Sequence, residues 1–264
     1  MPRFKLTIEY AGTKYSGWQI QKNARTVQGE IDRAVRSVTS RKDFELYGSG
    51  RTDAGVHALA QVAHLDVATS LPPDALVDRL NGELPADINI LDARVVPHRF
   101  HARHDAVARR YLYQIARRRT AFAKAYVWWV KEGIDVNRMQ LAAGTFVGLR
   151  DFEAFAESDA RGDADRSTEV RLDRIDIGEA DGLVLVGVEG SHFLWKMVRR
   201  MVGVLVEVGR GKLEPDAVAR LMGGSSGAPA RLTAPASGLF LERVYYQGDL
   251  RDAGLTPATP LLRI

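Results

Sequence analysis

In Phe4-Lys-Leu-Thr-Ile-Glu-Tyr10, large apolar side chains alternate with polar ones. Successive side chains on a strand point to opposite faces, so a period of two predicts a half-buried strand. The pattern then changes. Gly12–Gln21 reads as a polar loop, and Val27, Ile31, Ala34, Val35 and Val38 recur at helical spacing. Strand-like segments near Phe44–Tyr47 and Gln61–Val67, a short helix after Pro72-Pro73 and a strand near Ile88–Val96 complete a first half. Alternation resumes around Val107–Ile115. Asp135 is placed to cap a helix reaching about Ala143, and a charged loop runs from Asp151 to Glu169. Strands near Val170–Ile177 and Leu183–Val188, a helix at about Phe193–Val208, a helix opened by Glu214-Pro215-Asp216 and a last strand at Leu239–Tyr246 follow. The halves share this coarse pattern but no sequence repeat. The expected fold class is α+β: two similar α/β-sandwich halves, residues 1–105 and 106–264, with mainly antiparallel sheets flanking a central cleft as the natural binding place.

With 45% hydrophobic and 27% charged residues over 264 positions, the chain can bury an ordinary core, so disorder is not the first reading. The absence of cysteine removes disulfides, thiol nucleophiles and thiolate metal sites, and fits a cytoplasmic protein. No apolar run reaches membrane-spanning length, because Lys196, Arg199, Arg200 and Glu207 interrupt the longest, and the start offers no signal-peptide core. The net charge of +4 points weakly toward a polyanion. Its distribution says more. Between Arg94 and Arg119 stand eight arginines against one acid, Asp105, with His98, His101, His104, Tyr111 and Tyr113 interleaved. Arginine grips phosphates with a planar fork and aromatic rings offer faces to unpaired bases, so Arg103, Arg109 and Arg110 are candidate RNA contacts. A solvated charged face is the plain alternative.

Several familiar signals fail on context. Gly209-Arg210-Gly211-Lys212-Leu213 has Val206 where a phosphate loop needs glycine, and reads as a helix stop. Gly223-Gly224-Ser225-Ser226-Gly227 matches a nucleophile elbow in letters only, since it follows a helix, and reads as a flexible loop. The histidines at 98, 101 and 104 lack acidic partners beyond Asp105, so no metal site is expected there. Gly48-Ser-Gly-Arg-Thr-Asp-Ala-Gly-Val-His-Ala58 is different. Small residues let the backbone bend and a large substrate approach, while Arg51, Thr52, Asp53 and His57 fall within a few residues of one another. An ordinary turn capped by Asp53 is the structural alternative.

At this motif the sequence resembles the bacterial tRNA pseudouridine synthase A family, whose hallmark is Gly-Arg-Thr-Asp-Ala-Gly-Val-His. The resemblance extends through Tyr10-Ala-Gly-Thr-Lys-Tyr-Ser-Gly-Trp-Gln19, Phe100-His-Ala-Arg103, Ala108-Arg-Arg-Tyr-Leu-Tyr113, Phe193 through Met197-Val-Arg-Arg200, and Thr233-Ala-Pro-Ala-Ser-Gly-Leu-Phe-Leu241. Ala11 departs from it, the family usually carrying an acid there. The resemblance implies an isomerase that turns uridine into pseudouridine at positions 38 to 40 of the tRNA anticodon stem-loop, without cofactor, as a homodimer. It makes Asp53 the essential carboxylate, acting as nucleophile at C1′ or C6 or as a base on the sugar. It makes Arg199 the cation that keeps Asp53 ionised, Tyr111 the ring stacked on the target base, and Arg51 the residue holding that nucleotide outside the stack. Thr52, His57, Gly238 and Leu239 would line the uracil site, while Tyr113 reads as core. A glycosidic-bond-cleaving RNA enzyme and a non-catalytic tRNA-binding protein are the rival readings. The first would want a second carboxylate to activate water.

Overall fold

The computed structural model describes residues 1–157, 167–224 and 227–261. The middle of the charged 151–169 loop and Ser225-Ser226 of the Gly223–Gly227 loop lie outside the described residues. The chain forms two compact units: residues 1–107 with 240–251, and residues 108–239 with 252–264. Each is a mixed α/β unit whose sheet is mainly antiparallel.

In unit 1 the alternating opening segment is strand β1 (Arg3–Tyr10), with Phe4, Leu6, Ile8 and Tyr10 all buried. It pairs antiparallel with β3 (His57–Asp66) on one side and β4 (Ile88–Val96) on the other. Helix α1 (Val27–Thr39) begins where Thr26 Oγ1 accepts the Gly29 N–H, and buries Val27, Ile31, Ala34 and Val35. The helix after Pro72-Pro73, α2 (Pro73–Glu83), is three turns long and buries Leu76 and Leu80. Because β1 occupies one edge of β3, two other strands share the opposite edge. Strand β2 (Glu45–Gly48) pairs at Ala63–Asp66, and the final strand of the chain, Leu239–Tyr246, runs parallel to β3 at His57 and Ala58. The Ser49–Val56 loop fills the gap between those two pairings. β3 starts four residues earlier than alternation predicts, because much of it is buried on both faces and the period-two signal is lost.

In unit 2, β5 (Ala106–Ala116, its first two residues in unit 1) pairs antiparallel with β9 (Leu183–Gly190), then β9 with β8 (Glu169–Ala180) and β8 with β7 (Gly148–Asp151). A two-residue strand, β6 (Trp128–Trp129), lies parallel to the end of β5. Every position of β9 is buried, as expected of a strand covered on both faces. Asp135 caps α3 (Val136–Ala143), its side chain accepting from the Asn137 and Arg138 N–H groups at 2.9 and 3.1 Å. Helix α4 (Met197–Gly209) is nearly all buried and stops at the glycine expected to end it. It begins four residues later than the apolar pattern predicts, because Lys196 takes φ 61° in a turn closed by Met197 N–H donating to Leu194 O (3.2 Å). Helices α5 (Ala217–Met222) and α6 (Ala228–Arg231) lead to the final strand, β10 (Leu239–Tyr246). No helix among the described residues is long and apolar enough to cross a membrane.

Candidate active site

The Gly48–Ala58 loop of unit 1 is fastened on both flanks. On the β2 side, Ser49 N–H donates to Val62 O (2.7 Å) and its hydroxyl to Gln61 Oε1 (2.7 Å), while Gln61 Nε2 donates to Gly50 O (3.0 Å). Opposite, the Tyr10–Trp18 segment clasps the backbone around Asp53. Trp18 N–H donates to Thr52 O (3.1 Å), Gly55 N–H to Tyr15 O (3.3 Å) and Gly12 N–H to His57 Nδ1 (3.0 Å), and the hydroxyls of Tyr10 and Thr52 are 2.8 Å apart. Two glycines permit this approach. A Cβ on Gly12 would fall far inside contact with Val56 O, and Gly17, at φ +92°, would place one 2.6 Å from Thr52 O. Tyr15 is itself fixed by donating to Asp87 Oδ1 (2.5 Å), and burial, then that carboxylate, hold its phenol well above the usual range. The result is a half-buried carboxylate, Asp53, on an immobilised backbone, with exposed Arg51 two residues before it.

Thr52 and His57 lie within the loop's own packing. Both are buried, Thr52 with its hydroxyl on Tyr10 and His57 at 1% exposure, stacked on Phe240 (4.8 Å) and accepting from Gly12. Both side chains help hold the loop. The Phe100–Arg103 turn is also built from unit 1. Arg3 donates to the carbonyls of His98 and Phe100 (both 2.6 Å), Tyr246 donates to Ala102 O (2.7 Å), and His101 Nδ1 accepts from the Arg103 and His104 N–H groups (both 3.2 Å). His101 packs against His64, His104 and Tyr47, and burial lowers the pKa of both His64 and His101. Among the described residues no histidine, aspartate and glutamate group is arranged to hold a metal ion. Arg103 remains half-exposed.

Three segments meet in unit 2. Tyr111 of β5 lies edge-on to Phe193 (5.0 Å), and Tyr113, buried as expected, donates its hydroxyl to Pro235 O (2.8 Å) with Gly238 against its ring. Arg199, in the first turn of α4, donates Nε–H to Ala234 O (2.7 Å) while Ala234 N–H donates back to Arg199 O (3.0 Å). Gly238 and Leu239 continue from that segment, both buried. The start of α4 is held by Glu157, which accepts from Lys196 Nζ (2.7 Å) and Arg200 Nη2 (2.6 Å), and whose carboxyl is kept below its ordinary range by the Lys196 hydrogen bond first. Sequence reasoning missed Glu157, since nothing in its charged surroundings singles it out.

Arg110 is a correction. It is fully buried, with Nη1 3.1 Å from Asp176 Oδ2 and 3.9 Å from Glu189 Oε2, so it is an internal ion pair and not an RNA contact. Arg109, its neighbour on β5, points the other way, donates to Ser191 O (2.9 Å) and stays half-exposed. Removing one partner of a buried ion pair strands the other, so Arg110→Ala is expected to destabilise the protein by about 3–5 kcal/mol in denaturant unfolding. An unchanged unfolding midpoint would contradict this placement.

The sequence profile of a family described as tRNA pseudouridine synthase matches residues 6–105 and 142–247. A tRNA pseudouridine synthase A from Nitrobacter winogradskyi is 40% identical over 95% of this chain and 98% of its own length. One from Geotalea uraniireducens is 43% identical over 93% of this chain and 100% of its own. A chain of a crystallised Cbf5-Nop10-Gar1 complex matches 77% of this chain and 45% of its own, at 11% identity and a TM-score of 0.34, too loose a superposition to carry an argument. The matched residues include the Asp53 loop, its Tyr10–Trp18 clasp and the Phe193–Arg200 turn, and with such relatives over nearly the full length the chain belongs to the tRNA pseudouridine synthase family.

Proposed function

We propose that this isomerase acts on the anticodon stem-loop of tRNA, at positions 38 to 40, with Asp53 as its catalytic carboxylate. The observation that carries the reading is the immobilised Gly-Arg-Thr-Asp loop in a chain of this family. The C1′–N1 bond breaks, the uracil turns, and C1′ joins C5; N1 gains a proton and C5 loses one, so no redox partner or water is consumed and no cofactor is called for. Asp53 serves as nucleophile at C1′ or C6, or as a base at the sugar. Arg199 is the cation that favours its ionised form, and Tyr111 offers a ring face to the flipped uracil. Arg51 holds the nucleotide out of the stack, with Gly238 and Leu239 as the apolar wall. Arg103 and Arg109, both half-exposed, are the phosphate contacts, and neighbouring targets in varied sequences call for recognition of shape and backbone. A cytoplasmic homodimer is part of this reading.

The test is nucleoside chromatography of tRNA after incubation, with primer-extension mapping of the anticodon arm. Pseudouridine confined to positions 38 to 40, with no free base, is expected. Released uracil would instead mark a glycosidic cleavage enzyme, and bound but unaltered tRNA a non-catalytic binder.

A further inference from the structure

Unit 2 also carries a basic surface with two solvent-facing rings. β5 runs out into Arg117-Arg118-Arg119, all exposed, and the parallel pairing of Ala116 with Trp129 seats β6 directly beside this run. Arg119 lies over the Trp129 ring at 6.0 Å, with Trp129 41% exposed. The intervening loop is ordered by Thr120, whose hydroxyl accepts the Ala123 N–H (3.2 Å), and by Tyr126 N–H donating to Ala123 O (2.9 Å). Phe122 in this loop is 90% exposed, and Lys124 and Lys131, each two residues after one of the rings in sequence, are exposed as well. A phenyl ring held this far into water on a bonded turn gains nothing for the fold. The nearby acids are engaged: Glu179 pairs with Arg117 (2.6 Å), and Glu132 with Arg210.

We propose that Arg118, Arg119, Phe122 and Trp129 form a second contact surface for the tRNA substrate, gripping backbone phosphates and stacking an unpaired base away from the target uridine. Arginine beside two accessible rings is the chemistry that binds single-stranded nucleotides without reading their sequence. Charge argues against a second copy of this chain as the occupant, because a two-fold interface uses the same patch on both subunits and would gather two arginine runs in one interface. The proposal rests on tRNA being the substrate, but the readout that decides it is binding.

The full-length protein and its Phe122→Ala, Trp129→Ala and Arg118→Ala/Arg119→Ala variants are titrated with unmodified tRNA across a range of salt, with thermal melts and sedimentation alongside. Loss of either ring is expected to weaken binding about tenfold with little change in salt dependence. The double arginine variant is expected to lower the slope of log affinity against log salt by about 1.5. At saturating tRNA, kcat should match the parent in all three. Affinities within twofold of the parent and an unaltered slope would overturn the proposal. So would a change in sedimentation with tRNA affinity intact, which would assign the surface to an interface between copies. A parent protein that binds tRNA through this surface yet forms no pseudouridine would leave this proposal standing and remove the one above.

Discussion

Asp53→Asn is expected to abolish pseudouridine formation, lowering kcat on the order of 10⁴-fold or more, while tRNA affinity stays within a few-fold. The amide matches the carboxylate in shape but carries no charge, so it neither attacks carbon nor takes a proton in any of the three routes open to Asp53. The loop should survive the change, because backbone groups and the side chains of Ser49, Thr52, His57 and Gln61 fasten it. Most affinity should come from phosphate contacts elsewhere on the protein. Single-turnover assays beside filter binding separate the two quantities. Turnover above about one hundredth of the parent's would sink the role given to Asp53.

Gly12→Ala tests the clasp. Its new methyl would occupy the space of Val56 O, and relieving that overlap moves either the Gly12–Lys14 turn or the loop, breaking the Gly12–His57 hydrogen bond. Overpacking of this kind costs about 1–3 kcal/mol, and displacement of a reacting group by about 1 Å can cost on the order of a hundredfold in rate. The variant should therefore melt lower and turn over far more slowly with tRNA binding largely kept. Gly82→Ala supplies the contrast. That position lies inside α2 with open space around it, so the same substitution should stabilise by about 0.5–1 kcal/mol. Equal effects at both glycines would mean that the close approach at Gly12 does not constrain the loop.

The elements legible in the sequence are those with one-sided burial or with clear signals at their ends. β1, β4 and β10 alternate or stand between clear turn signals, and Asp135 announces α3. Where both faces are covered, as along β3, periodicity vanishes and the boundary slips. The start of α4 slipped for another reason: Lys196 adopts a left-handed backbone that residue preference would not assign to lysine. Arg110 was readable in retrospect. Adjacent residues on a strand point to opposite faces, so Arg109 and Arg110 could not both face RNA from the same side of the sheet. Asp53 stood out through its own neighbours, but the clasp did not. Tyr10, Gly12, Tyr15 and Trp18 meet the loop from about forty residues away in sequence, a relation no local pattern encodes.

The parallel pairing of β10 with His57 and Ala58 has a consequence for synthesis. Unit 1 takes residues 240–251 from far downstream of its first 107 residues, so the strand that closes the β3 edge beside the Asp53 loop leaves the ribosome well after the rest of the unit. At ordinary elongation rates the first 107 residues wait on the order of ten seconds for it. Through that interval the nascent protein displays an unpaired strand edge, and a prematurely terminated chain would keep that adhesive edge for good.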